Sequence, residues 1–549
     1  MADAAQDFDY DWLVIGSGFG GSTAALRLSE KGYRVGVLEA GRRFADSDFA
    51  KTTWNLRRFL FMPAIGLRGI MRIYTFKDVT ILAGAGVGGG SLVYANTLYE
   101  PGESFFSAPE WAGLADWRAE LAPHYVTAKR MLGASTIPFD TDADTLLAEL
   151  GERMGVPDTY RRPQVSVFFG PEGSSGQLFP DPYFGGAGPA RTACVRCGGC
   201  MIGCRYGAKN TLVKNYLWLA ERAGAVVMPD RTVKSVRPIG GGDGSEGYEV
   251  TSIRSGAWGG RGRQTLRARG VVIAAGAIGT NILLARARRT GDLPRLSAQI
   301  GERVRTNSEA LLAVTAKDDR FDFADGVAIS SSVYPRPDTH IENVSYGNGG
   351  SFMSWLFVPL VGRGTRLTRP LKLVATTFLR PRQSLRILAR RRSWSRRTMI
   401  LLVMQTLPGR MAFRAHGVGR RVMLTTEQDP EHPNPTFIPE ANAAAEILAE
   451  RIDGVAQSNI SEAATNTPAT AHILGGAVIA ADPSDGVVDA HQHVFGYENL
   501  LVCDGSVVPA NPGVNPSLTI VALTEHAMAA IPGRDADARD PAASAVPAG

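Results

Sequence analysis

The sequence predicts an α/β fold. Residues 11–15 (DWLVI) form a short, largely apolar run of the kind buried on both faces of a parallel sheet. GSGFGG follows, with Gly16, Gly18 and Gly21 in G-x-G-x-x-G register, and then STAALRLSEKG, which reads as a helix closed by Gly32. YRVGVLE makes a second strand that ends on Glu39. Strand, glycine turn, helix, strand and carboxylate, in that order, predict a Rossmann-like dinucleotide-binding unit.

Each part of that unit has a physical task. Gly16 permits the tight turn, Gly18 lets backbone approach a pyrophosphate, and Gly21 lets the helix lie close to the sheet. The helix N-terminus then faces the phosphates. Glu39, eighteen residues beyond Gly21, is placed to accept hydrogen bonds from an adenosine ribose. Further along, Ile81–Asn96 reads ILAGAGVGGGSLVYAN, where Gly88, Gly89 and Gly90 precede Ser91. A loop of that composition can lay its backbone against a flat ring or a phosphate. VVIAAGAIGTNILL (271–284) is another strand, glycine turn and helix. LLVCDGSVVPANPGVNPSL (500–518) is a strand followed by a turn-rich segment.

Length and composition set the bounds. A chain of 549 residues needs two or three structural units, and 44% apolar with 20% charged residues is ordinary for a globular protein. The start, MADAAQDFDYDW, lacks a basic stretch leading into an apolar run, and no run of eighteen apolar residues occurs. No signal peptide and no spanning helix are therefore expected, which points to the cytoplasm. The net charge of +6 is local in origin: 363–397 carries twelve Lys and Arg and no Asp or Glu. Leu371, Val374, Ala375 and Phe378, and after Pro381 Leu385, Leu388 and Ala389, fall at helical spacing within it. Trp355, Phe357 and Trp394 flank the region. A basic amphipathic segment of this kind suits peripheral contact with an anionic membrane face. No nucleic-acid motif accompanies the charge, so no nucleic-acid partner is expected.

Taken together, the four glycine-rich and C-terminal segments resemble the glucose–methanol–choline (GMC) oxidoreductase family over most of the chain. Gly86–Ser91 is similar to its flavin loop, AAGAIGT (274–280) to its second signature, and HILGG (472–476), DGS (504–506) and GVNPSLTI (513–520) to its C-terminal flavin and active-site segments. Within the family, GVGGGSLV (86–93) and the Glu in DTHIENV (338–344) resemble bacterial cholesterol oxidases. One departure is Ala471, where those enzymes usually carry an aromatic residue before the active-site His.

The resemblance implies FAD as cofactor. It implies a discontinuous flavin domain at 8–125, 205–305 and 465–533, a Cys-containing insertion at 126–204, and a substrate domain on an antiparallel sheet at 306–464. Residues 534–549, poor in large apolar side chains, read as a disordered tail. Flavin contacts are implied for Gly88, Gly89, Gly90, Ser91, Asn96, Val233, Gly276, Asp504, Gly505, Asn515 and Pro516. His472 and Asn515 are implied as the oxidation site and Glu342 as a proton shuttle for double-bond migration; His340, on the same strand face as Glu342, is expected to line the substrate cavity. The implied activity is FAD-dependent oxidation of a hydroxylated lipid, a 3β-hydroxysteroid such as cholesterol, with oxygen or a redox protein taking the electrons. Three alternatives stand beside it: a dehydrogenase of another alcohol or sugar, a fatty-acid photodecarboxylase, and a flavoprotein that only relays electrons or holds lipid.

Cys194, Cys197, Cys200 and Cys204 form a C-x2-C-x2-C-x3-C run, the ferredoxin ligand spacing with Arg205 in place of proline. Such a run can hold an iron–sulfur cluster, as in some sugar dehydrogenases of the family, or zinc, or it can be plain structural thiols.

Overall fold

A computed structural model describes residues 8–388, 391–419 and 421–534. Strand β1 (Tyr10–Ile15) is buried from its second residue onward and leads through Gly18 into helix α1 (Phe19–Glu30) and strand β2 (Val35–Leu38). β1 pairs in parallel with β2 on one side and with the end of β3 (Gln264–Ile273) on the other. β3 then turns into helix α2 (Gly276–Thr290). Val226–Met228 extends this sheet in parallel beyond β2, and Arg231–Pro238 and Tyr248–Arg254 add an antiparallel ribbon at the opposite edge. Leu500–Val502 joins β3 in parallel from Val271, just after the antiparallel neighbour leaves it at Ala268. The C-terminal ends of β1, β3 and Leu500–Val502 therefore lie side by side, at the edge where open α/β sheets bind ligands.

A second sheet has six strands, all antiparallel: Ser332–Arg336, β5 (Thr339–Val344), β6 (Thr398–Gln405), β4 (Ala310–Thr315), Val455–Asn459 and Phe357–Pro359, in that spatial order. β6 is buried at every position, and its period of two divides its side chains. Met399, Leu401 and Val403 pack in the core under the helix Pro439–Arg451, while Ile400 and Leu402 face a large cavity. This mixed α/β fold, with one mainly parallel and one antiparallel sheet, is the one the sequence predicts.

A small three-stranded sheet brings distant segments together. Thr80–Gly84 pairs with Met71–Thr75 and, in parallel, with Ala469–Thr470. The glycine loop at 86–91 and the turn carrying His472 thus leave neighbouring strands in the same direction.

The strand Ser332–Arg336 does not extend back through 323–331. Upstream, the Asn343 side-chain oxygen accepts from the backbone N–H groups of Ser330 (3.2 Å) and Ser331 (2.9 Å), and this local capture replaces the ladder. In the basic segment, helix α3 (Thr368–Leu379) is pinned by Arg369, whose buried guanidinium donates to the Thr436 carbonyl (2.7 Å) and to Asn466 Oδ1 (3.1 Å). Its apolar side chains face outward: Leu371 is 69% exposed and Phe378 79%. Ala389 of that segment, and the expected tail beyond Arg534, lie outside the described residues.

Candidate functional site

The three glycines of the first turn do different things. A Cβ on Gly16, which has φ +103°, would stand 2.2 Å from the Ala274 carbonyl oxygen, and one on Gly21 would stand 2.1 Å from the Gly16 oxygen. Gly18 has φ −74°, and nothing lies within 4 Å of where its Cβ would be. It opens α1 and borders the cavity, so the free space there is space for a ligand at a helix N-terminus. Glu39 is buried, with Oε2 accepting from Ser17 N (3.0 Å) and Ser17 Oγ (2.7 Å) and Oε1 from Gly41 N (2.7 Å). A carboxylate has about four lone-pair sites, so these bonds leave room for a further hydroxyl. Arg231 N donates to the Glu39 carbonyl, which draws the start of the Arg231–Pro238 strand to this edge; Val233 sits at a bulge in it, half-buried.

The second glycine loop is braced against the first. Gly88 N donates to Ser17 Oγ (3.1 Å), and Gly89 passes so close that its Cβ would be 2.6 Å from Gly18 Cα. Gly90 borders the cavity, and Ser91 is fully buried, donating to the Gly88 carbonyl (2.7 Å) and accepting from Leu212 N (3.0 Å). Asn96 is fully buried at φ +74°, with neither amide atom hydrogen-bonded within the protein. Asp504 knits the far wall: Oδ2 accepts from Gly276 N (2.9 Å) and Thr280 Oγ1 (2.6 Å), Oδ1 from Ser506 N (2.8 Å) and Ser506 Oγ (2.5 Å). Burial pushes its carboxyl above the usual range. Gly505, Asn515 and Pro516 line the same wall, Pro516 capping the helix α4 (Ser517–Ala530).

These walls enclose a cavity of 840 Å³. One end is bounded by Gly18, Gly90, Gly276 and Asp504, the other by apolar side chains including Met71, Ile73, Met353 and Phe357. Open space at the helix N-terminus and a cradle of close-packed backbone together fit a dinucleotide with a flat ring system, whereas Asn96 does not line the cavity.

Polar groups also line this cavity. His472 and Asn515 both line the cavity. Glu309 does too, and it is the residue that sequence reasoning missed. It is buried, its Oε2 accepts from Ala471 N (2.9 Å), and its Oε1 is hydrogen-bonded to His472 Nδ1. Its only sequence signal is a carboxylate immediately before an apolar strand, which carries no chemistry until His472 is packed beside it.

His340 is placed otherwise than expected, and Glu342 lies beside it. Neither lines the cavity; at that point the wall is Asn515, whose Nδ2 donates to Glu342 Oε2 at 3.3 Å from in front. Glu342 is 0% exposed, and burial pushes its carboxyl up to about 8. His340 lies deeper, stacked on Tyr334 with ring centroids 4.3 Å apart and Nε2 3.9 Å from Glu342 Oε1. Burial pushes its imidazole down to about 3, so it is neutral near pH 7. The two share a strand face, as period two requires, but that face is covered by the 513–515 segment.

The cysteine run lies at a second core. Among the described residues no group of three or more His, Cys, Asp and Glu side chains is placed to hold a metal ion. The run folds as a tight turn, Gly199–Ile202, that feeds Cys200 into an apolar core against which Cys194 and Cys204 also pack. Burial pushes the thiols of Cys194 and Cys197 up, and that of Cys200 to about 11. The spacing permits a ligand set, and in this structure the run packs in and around this apolar core.

Comparison with known proteins agrees with the site. Family models described as GMC oxidoreductase match residues 10–288 and 419–524. A cholesterol oxidase of Mycobacterium tuberculosis is 51% identical over 97% of this chain and 93% of its own, and one of Acinetobacter baumannii is 44% identical over 96% and 95%. Pyridoxine 4-oxidase from Mesorbium loti shares the fold, with a TM-score of 0.59 at 18% identity over 94% of this chain and 98% of its own. The chain belongs to the GMC oxidoreductase family and is an FAD-dependent oxidoreductase.

Proposed function

We propose that this enzyme oxidises a 3β-hydroxysteroid such as cholesterol to the ketone, with oxygen as the final electron acceptor. The observation that carries the reading is the cavity, apolar over most of its wall, which His472, bound to Glu309, and Asn515 both line. A rigid apolar body with a single hydroxyl at its end matches that distribution. The near full-length likeness to two cholesterol oxidases supports it.

FAD, when bound, supplies the two-electron acceptor for the hydride that leaves the carbinol carbon. His472 takes the hydroxyl proton, a role for which imidazole is suited near neutral pH. Asn515 Oδ1, buried and without a protein partner, accepts from the substrate hydroxyl and orients it, while its Nδ2 stays on Glu342. Glu342 then serves double-bond migration. Its carboxylate removes a proton from the carbon between ketone and alkene and returns it to the far alkene carbon, once Asn515 moves aside. We also read 8–125, 205–305 and 465–533 as the FAD-holding unit, 126–204 as the insertion carrying the cysteine turn, and 306–464 as the substrate unit.

Product analysis with cholesterol and oxygen tests this. The expected product is the conjugated ketone. Glu342→Gln should oxidise cholesterol at close to the wild-type rate and release the unconjugated ketone, because an amide cannot carry the proton. Since the shuttle must be ionised to start, migration should strengthen as pH rises through about 8. A lactone from a sugar, or a shortened hydrocarbon from a fatty acid in light, would replace the reading.

The basic segment suggests how the substrate is reached. α3 packs against Ile460–Thr465, which borders the cavity, and presents Leu371, Val374, Phe378 and Leu379 to solvent among basic side chains. Among the described residues no helix is long and apolar enough to cross a membrane, so the contact proposed is peripheral. Each basic residue near an anionic surface contributes about 1 kcal/mol. Wild-type protein should sediment with anionic vesicles and release in high salt. A Leu371→Ser, Phe378→Ser variant should remain largely in the supernatant, and equal sedimentation of the two proteins would remove the segment from the interface.

A further inference from the structure

We infer that Glu309 is the positioning residue for His472: it captures two consecutive residues of the active-site turn and sets which imidazole nitrogen faces the substrate. The inference rests on His472 being the group that takes the hydroxyl proton.

The argument begins with the turn. Ala469–Thr470 pairs with Thr80–Gly84, and Leu474 exchanges backbone hydrogen bonds with Arg305 (2.8 and 2.9 Å), so residues 471–473 are held at both ends, and between them His472 N donates to Thr470 Oγ1 (2.9 Å). That bond fixes the backbone of His472 but not its ring; Glu309 supplies the hold on the ring and on Ala471. It stands just before β4, its side chain is fully buried, and both of its oxygens are committed to the turn: Oε2 to Ala471 N–H at 2.9 Å and Oε1 to His472 Nδ1. A carboxylate can only accept. Nδ1 must therefore carry its hydrogen, which leaves the lone pair on Nε2. Nε2 is then the nitrogen able to receive a proton from an alcohol in the cavity. Ala471, where related enzymes are expected to carry an aromatic ring, presents only a methyl group beside this arrangement.

An amide cannot reproduce the capture. In Glu309→Gln, if the amide oxygen accepted from Ala471 N–H, the amide NH2 would face Nδ1 and demand a lone pair there, moving the hydrogen to Nε2. If the amide were flipped, its NH2 would oppose the Ala471 N–H. Aspartate accepts at both oxygens but is one methylene shorter.

The test uses the FAD-loaded enzyme and anaerobic stopped-flow reduction by whichever alcohol reduces the wild type, cholesterol first. Glu309→Gln should slow reduction about 10²-fold or more while KM and flavin content change little, the size expected for a misoriented acid–base group. Glu309→Asp should recover part of the loss. In a His472→Ala background Glu309→Gln should add no further loss, because Glu309 acts only through the ring. A second readout needs no alcohol. Diethyl pyrocarbonate attacks an imidazole nitrogen that bears a lone pair, and peptide mass spectrometry follows His472 against the other seven histidines. Labelling of His472 should fall in Glu309→Gln and recover in Glu309→Asp. Near-wild-type reduction, an equal loss in the His472→Ala background, or unchanged labelling of His472 would overturn the assignment. Fast reduction in His472→Ala alone would instead remove the catalytic reading, and labelling would still decide whether Glu309 orients the ring.

Discussion

Gly18→Leu is expected to yield a protein that folds and melts like the FAD-free wild type but purifies without FAD. The three glycines of the motif look interchangeable in a sequence, yet the structure separates them. Gly16 and Gly21 are required by the protein itself, since a Cβ on either would overlap a carbonyl oxygen at 2.2 or 2.1 Å. Substituting them breaks the turn, and loss of cofactor follows from loss of fold. Gly18 has an ordinary φ of −74° and open space beyond it, so a side chain there strains nothing in the protein. The added side chain occupies only the volume in front of the α1 N-terminus, where the pyrophosphate is expected. Visible absorbance per protein and a thermal melt, measured side by side, check this. A yellow Gly18→Leu protein with full flavin would contradict this placement of the pyrophosphate.

His472→Ala is expected to keep FAD and lose the alcohol oxidation. Removing a positioned acid–base group costs about 10²–10⁴-fold in rate. The loss should appear in the rate of flavin reduction, because the proton must leave the hydroxyl as hydride leaves carbon. Cofactor retention is expected because His472 is bound to Glu309 and Thr470, not to the walls formed by Gly18, Gly89 and Asp504. Glu309 would then face the cavity without its partner, so the Ala variant also carries the cost of a buried carboxylate deprived of a hydrogen bond. A His472→Gln variant, which can restore one hydrogen bond to Glu309, separates the two effects. It should melt closer to the wild type than His472→Ala and remain as slow. Near-wild-type reduction in both variants would take His472 out of the chemistry.

The sequence by itself determined the parts whose chemistry is contiguous. β1, the glycine turn, α1, β2 and Glu39 lie within thirty-nine residues, and each does its work through its own backbone or its nearest neighbours. The glycine loop at 86–91, the turn at Gly276 and the Asp504–Ser506 pair are legible for the same reason. The tertiary structure alone decided what depends on side chains meeting across distant segments. Glu309 and His472 are 163 residues apart and meet because a short parallel pairing at Ala469–Thr470 carries the turn beside the start of β4. Glu342 was implied as a proton shuttle by resemblance, and His340 was expected at the cavity by its strand face; packing of the 513–515 segment covers that face, puts Asn515 in front of Glu342 and leaves its carboxyl buried. The cysteine spacing reads as a ligand set, but spacing fixes only which residues can reach one point; that Cys200 sits in apolar core is decided by the turn at Gly199–Ile202. The basic segment is the converse case. Its helical period is local and legible, but whether its apolar face is covered or open is a property of its neighbours. Burying Arg369 against Thr436 and Asn466 left Leu371 and Phe378 facing water. Backbone geometry is set over a few residues, whereas which side chain faces which depends on how two sheets pack together, one drawing strands from both ends of the chain and the other from 310–459.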